Sequence, residues 1–234
     1  VLSNAAYGLA LVEIVWINLL LSGDNAVVIA LASRSLPAHL QKWGVILGTV
    51  PAVLLRIGFS AIAAYLIAIP FLRIVGGVLL VWIAFNLLQS GEDGDDARHA
   101  SGSTIWAAAR TIIVADAVMS LDNVVAIVAA AHGDMSLLII GLVISMPMVI
   151  CGACVLVRLL ARFPILVTAG ASLLGYIAGD LIVSDAVLET WLATQPALLP
   201  VLFPGGIAVL LACAGAALRS PRRRPSFASQ RDIA

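Results

Sequence analysis

Seven stretches of this chain stay apolar for close to the roughly 20 residues that an α-helix needs to cross about 30 Å of hydrocarbon, and that length decides what the chain can be. The stretches are Leu9–Ser33, Trp43–Ile67, Phe71–Leu88, Ile105–Ala131, Leu137–Leu160, Ile165–Val183 and Leu198–Leu218. Such runs in close succession exclude an ordinary soluble domain and predict an all-α membrane protein of seven transmembrane helices. Composition agrees: 62% of residues are hydrophobic and 11% charged, against about 45–50% and about 25% in soluble domains. Pro70 and Pro164 fall in short connections before the third and sixth spans, where a residue that starts helices more readily than it continues them belongs.

The formal net charge is zero, but the charges are unevenly placed. Arginines 219, 222, 223 and 224 form a basic tail, while the acids lie in one loop, Gln89 to Ser103, and inside apolar runs. A removable signal peptide is not expected, since no basic segment precedes the first run and that run exceeds an h-region of about 7–15 residues. Cys151, Cys154 and Cys213 all sit within spans, so Cys151-Gly-Ala-Cys154 reads as helix-packing surface rather than a redox or zinc motif.

The spans repeat. Asn18 to Ala32, NLLLSGDNAVVIALA, aligns with Asp116 to Ala130, DAVMSLDNVVAIVAA, at an offset of 98. Thr49-Val-Pro-Ala-Val53 aligns with Ser145-Met-Pro-Met-Val149 at an offset of 96, and Pro70 to Leu88 with Pro164 to Ile182 at an offset of 94. Three helices per copy is an odd number of crossings, which places the second copy upside down. The predicted organisation is a first three-helix repeat over residues 1–90, an acidic cytoplasmic loop over 91–103 and an inverted second repeat over 104–184. An extracytoplasmic loop over 185–197, a seventh helix over 198–219 and a basic cytoplasmic tail over 220–234 complete it. Lys and Arg concentrate on cytoplasmic loops, so Arg34, Lys42, Arg98, Arg158, Arg162 and the tail put the N-terminus outside and the C-terminus in the cytoplasm, with Arg73 the one discordant charge.

A carboxylate at the bilayer centre costs roughly 2.5–3.5 kcal/mol on insertion scales and marks a pathway or a partner. Asp24, Asp116 and Asp122 all lie within spans. The plain alternative, that Ser22-Gly-Asp-Asn25 is a turn in a soluble core, fits poorly with neighbours of membrane length and with a second copy that lacks the glycine. At about 100° per residue, Asn18 shares a helix face with Asn25, and Asp116 with Asn123, while Asp24 and Asp122 sit one residue off and need a local unwinding or a partner across the repeat interface to join the same site. Gly23 eases unwinding in the first copy, so the first helix is expected to be the more broken and the second to carry more of the charge. Inverted-repeat transporters place broken helices of this kind at the membrane midplane.

The candidate metal ligands are therefore Asp24, Asp116, Asp122, Asn18, Asn25 and Asn123. Their hard oxygens suit Mg²⁺, Ca²⁺ or Mn²⁺ better than zinc or Cu(I). Arg56, too deep in the second span to reach the interface, should pair with an Asp; Arg110 could pair with Asp116 or snorkel. Asn86 and Asp180, at equivalent places in the third and sixth spans, are candidates to flank the pathway, and equally to cap their helices. Met119 is either a soft donor beside the site or lipid-facing. Glu13, His132 and Asp134 read as interfacial or solvated, as does the acidic loop around Glu92. Gly175-Tyr-Ile-Ala-Gly179 and its counterpart Gly76-Gly77 read as close helix contacts.

Through LLLSGDNAVVIALA, the Gly48–Arg56 stretch GTVPAVLLR and TIIVADAVMSLDNVVAI, the sequence resembles the TerC family of bacterial integral membrane proteins, in particular its YjbE-type branch. The resemblance implies a seven-helix fold like that of the LysE superfamily, manganese export, and acidic pairs that fall here on Asn18 and Asp24 and on Asp116 and Asp122. Asn18 departs from the pattern, since relatives often carry an acid there; it removes a charge but keeps an oxygen ligand.

The expectation is a non-enzymatic secondary transporter in the bacterial inner membrane that exports a divalent cation, with Mn(II) as cargo, no resident cofactor, protons as a candidate coupling ion, and no nucleic-acid partner. A LysE-like exporter of amino acids or small organic cations, an intramembrane metalloenzyme in which paired carboxylates hold ions that activate water, and an accessory protein that supplies metal to secreted enzymes or aids membrane-protein assembly are the rivals.

Overall fold

The computed structural model describes residues 4–67, 69–89, 102–131, 134–192, 194–196 and 198–219. The described residues are helical apart from short turns, in the order α1 (Asn4–Leu21), α2 (Gly23–Ser33), α3 (Ala38–Ala61), α4 (Ala63–Ile67), α5 (Leu72–Gln89), α6 (Gly102–Ala130), α7 (Met135–Arg162), α8 (Ile165–Val183), α9 (Ala186–Leu192) and α10 (Leu199–Arg219). Five of these, α3, α5, α7, α8 and α10, are long and apolar enough to cross a membrane unbroken. The count rises to seven if each of two bent pairs is one span. The acidic loop around Glu92, the basic tail and His132 lie outside the described residues. The short helix α9 occupies a stretch expected to be loop, held at its start by Asp185, whose Oδ1 accepts from Val187 N at 3.0 Å.

The two bent pairs are the two copies of the Asp-Asn motif. The α1 and α2 axes meet at 48° across Ser22, and within α6 the segments Ile105–Leu121 and Asn123–Ala130 meet at 62°. The expectation that the first copy is the more broken therefore holds for helix continuity, which Ser22 interrupts, and fails for the angle. Asn123, the first residue past the larger bend, is tied across the interface to Leu21 O at 3.2 Å, the last residue of α1. The bends are thus joined to each other.

Helix α3 packs on α6, the α1–α2 pair packs on α7, and α5 packs on α8, which α10 covers. Glycines allow the closest approaches. A Cβ on Gly48 would meet Ile112 at 2.6 Å, and one on Gly141 would strike Ile14; Ile14 and Ile112 are equivalent at the offset of 98. Gly175 faces Leu211 and Gly179 faces Pro204, seating α10, while Gly77 lies against the Ala178 carbonyl and Gly76 against Val118. The interior is filled by side chains such as Leu80, Ala84, Leu174 and Ala178, none more than 1% exposed. Leu9, Val12, Trp16 and Leu20 on α1, and Val201, Leu202, Val209 and Leu210 on α10, face outward. An apolar exterior this extensive is suited to lipid and not to water.

Candidate functional site

The polar residues of the two motif copies meet around a buried arginine. Arg56 reaches inward from α3 and is 4% exposed. Its Nη2 donates to Asp116 Oδ1 at 2.8 Å, forming an ion pair. Nη1 donates to Asn18 Oδ1 at 3.0 Å and to Ser22 Oγ at 3.2 Å, and Nε to Ser120 Oγ at 3.0 Å. Ser120 in turn donates to Asp116 Oδ2 at 3.2 Å, one helical turn back. Asn18 Nδ2 donates to Ser145 Oγ at 2.5 Å, and Ser145 Oγ to Leu142 O at 2.9 Å. The guanidinium thus binds the same two positions of each motif copy: Asn18 and Ser22 from one, Asp116 and Ser120 from the other. Arginine suits this task because its five N–H donors lie in a planar fork that can address several acceptors at once.

A cavity of about 20 Å³ opens beside the cluster, lined by Asn18, Ser22, Asn25, Thr49, Arg56 and Asp116 among others. It has room for one water-sized ligand. Asn25 is 2% exposed, yet neither its Oδ1 nor its Nδ2 has a hydrogen-bond partner, and the buried Thr49 hydroxyl is also unpartnered. Buried amides and hydroxyls are almost always paired, so two orphans on one small cavity, otherwise lined largely by apolar side chains such as Ile29, Val53 and Leu142, mark a place where a ligand would find oxygen donors.

Asp24 does not line this cavity; it stands in the first turn of α2 with its carboxylate accepting from Asn25 N at 2.7 Å, the favoured place for an acid at a helix start. The Asp122 side chain lies outside the described residues. Asn123 caps the Leu21 carbonyl. Arg110 is exposed on α6, leaving Asp116 to Arg56. Asn86 is half-buried near the end of α5, and Asp180 is exposed near the end of α8; neither lines the cavity. Met119 is buried in the core rather than lipid-facing. Asp134 caps α7, accepting from Ser136 N and Leu137 N. Among the described residues, no three His, Cys, Asp or Glu side chains are grouped to hold a metal ion. Any ion taken up here would rely on one carboxylate with amide and hydroxyl oxygens.

Sequence reasoning missed the hydroxyls. Ser22 and Ser120 are equivalent at the offset of 98, and Thr49 and Ser145 at 96, so a polar residue retained at both aligned positions was the available signal. It also missed Asp185, 2% exposed, which accepts from the backbone N–H of Phe71, Arg73 and Ile74 at 3.2–3.4 Å. Arg73 Nη1 donates to Ser184 O at 2.5 Å in the same corner. An arginine that discords with its neighbours in charge is thereby tied to the end of α8.

A bundle with an apolar exterior, two bent helix pairs and a buried charged cluster between them is that of a multi-pass integral membrane protein. Residues 3–223 match the family described as integral membrane protein TerC. The chain belongs to that family. It is 45% identical over 200 residues to the uncharacterized membrane protein YjbE of Bacillus subtilis, covering 84% of this chain and 90% of that one. It is 24% identical over 189 residues to the uncharacterized membrane protein YkoY of the same organism, over 73% of this chain and 58% of that one. It is 26% identical over 133 residues to the UPF0053 protein YegH of Escherichia coli, over 49% of this chain and 25% of that protein. No solved structure matches.

Proposed function

We propose that the protein is a secondary transporter exporting a divalent cation, with Mn(II) as cargo, across the bacterial inner membrane. The observation that supports this most directly is the convergence of Asn18, Ser22, Asp116 and Ser120, equivalent pairs from the two motif copies, on one buried position beside bent helices. An inverted repeat would bring these pairs together at the midplane, and alternating access would then open the site to one side at a time. The exchange of partners, α3 with α6 and α1–α2 with α7, fits that symmetry. The basic residues fit a cytoplasmic face: Lys42 and Arg158 share a cavity at one end of the α3–α7 seam, and Arg34 donates to the Leu87 carbonyl near the end of α5. Their clustering supports an N-terminus-outside arrangement.

An organic-cation exporter of the LysE kind has one observation in its favour, since the cluster already holds a guanidinium. The cavity of about 20 Å³ favours an ion over an amino acid. Metal-tolerance rescue in an export-deficient bacterial host tests the assignment. Wild-type protein should rescue growth in excess Mn²⁺, and Asp116→Ala and Asp122→Ala should not, at equal protein levels in the membrane. Rescue by both variants would remove these acids from the mechanism.

A further inference from the structure

We propose that the Arg56 guanidinium is a tethered counter-ion that occupies the cation position between the two halves when no cargo is bound, so that cargo uptake is an exchange against Arg56. The inference rests on the cation-transport reading and adds to it how the empty site is held.

The geometry carries three parts of the case. First, Arg56 spends four of its five N–H donors on Asn18, Ser22, Asp116 and Ser120, so in this conformation it is a ligand of the site and not a receptor for an anion. The oxygens it holds are the ones a cargo cation would need, and two cations cannot share them in a buried, weakly screened setting. Second, one arginine serves both copies. At the offset of 96 Arg56 falls on Gly152, where a Cβ would meet nothing within 4 Å. The second copy has open space, and no cation, at the matching place. Third, further acceptors line the same cavity. Asn25 Oδ1 and Thr49 Oγ1 are buried acceptors with no partner, and both line the cavity that Arg56 lines. A long side chain pivoting on α3 can transfer donors to them as cargo takes Asp116, so that its N–H groups stay hydrogen-bonded in both states.

Binding of Mn²⁺ to the purified full-length protein, read from the loss of the free-ion EPR signal, tests this. An arginine in place nine-tenths of the time lowers apparent affinity about tenfold, so Arg56→Ala should bind Mn²⁺ about tenfold more tightly than wild type. Methylguanidinium should then compete with Mn²⁺ in Arg56→Ala and leave wild type unaffected, a response that a merely structural arginine would not produce. If Arg56→Ala does not fold alone, Mn²⁺ or methylguanidinium present during purification should restore folded protein; failure of both to do so overturns the proposal. Equal Mn²⁺ affinity in wild type and a folded Arg56→Ala, or weaker binding in the variant, overturns the exchange and leaves the transport reading standing. Absence of binding in both overturns the transport reading, and the exchange with it.

Discussion

Arg56 Nη2 and Asp116 Oδ1 lie 2.8 Å apart, their side chains 4% and 10% exposed, joining α3 to the second motif copy on α6. A pair so deeply buried contributes little over a neutral pair of the same shape, but breaking it leaves a bare charge at a cost of about 3–5 kcal/mol. Asp116→Asn should therefore destabilise the protein strongly in thermal unfolding. The double variant Arg56→Gln/Asp116→Asn should recover most of that loss. A double-mutant cycle in which the two changes simply add would show that the pair is not coupled.

Asn25 predicts the opposite sign. Its amide is buried without partners, and removing an unsatisfied polar group returns a penalty of about 1–3 kcal/mol. Asn25→Leu should leave thermal stability unchanged or raised while cation flux falls. A variant destabilised as much as Asp116→Asn would mean that Asn25 is structural.

Glycine positions offer a packing test with a built-in control. A Cβ on Gly77 would stand 2.6 Å from the Ala178 carbonyl oxygen, which is backbone and cannot rotate away, whereas one on Gly152 meets nothing within 4 Å. Gly77→Ala should cost about 1–3 kcal/mol through overpacking. Gly152→Ala should gain up to about 1 kcal/mol from helix propensity. Unfolding temperatures of the two variants should move in opposite directions.

At the end of α5 away from Arg34, Asp185 accepts from three N–H groups at the start of that helix and one at the start of α9. Asp185→Ala should cost about 1–3 kcal/mol and raise amide hydrogen exchange at Arg73 and Ile74 while leaving the Arg56 cluster intact. Unchanged exchange there would show that other groups satisfy these donors.

Much of the fold was legible because span length is a blunt physical constraint: Ile165–Val183 was expected and observed with the same ends, and Ser22-Gly23 marked the break between α1 and α2. The short helix α9 was not legible, since its stability depends on Asp185 meeting the start of α5, a contact made only in three dimensions. The need of Arg56 for an acidic partner followed from its depth, yet which aspartate answered did not. Asp24 was expected to turn toward the site. A helix that starts at Gly23 instead offers its first N–H groups to that carboxylate, and this local bond holds Asp24 at α2. The four hydroxyls escaped notice because Ser and Thr in a helix usually bond their own backbone, as Ser60 does to Arg56 O at 2.9 Å; only the guanidinium gives Ser22 and Ser120 a shared task.

Under the proposed function the Asp116-centred cluster passes a divalent cation. Purified protein in proteoliposomes, with Mn²⁺ flux followed by an internal dye with and without an imposed pH gradient, measures it directly. Wild type should move Mn²⁺ and Asp116→Asn, reconstituted to the same level, should not; flux in Asp116→Asn equal to wild type, or no divalent flux in wild type, would contradict the account.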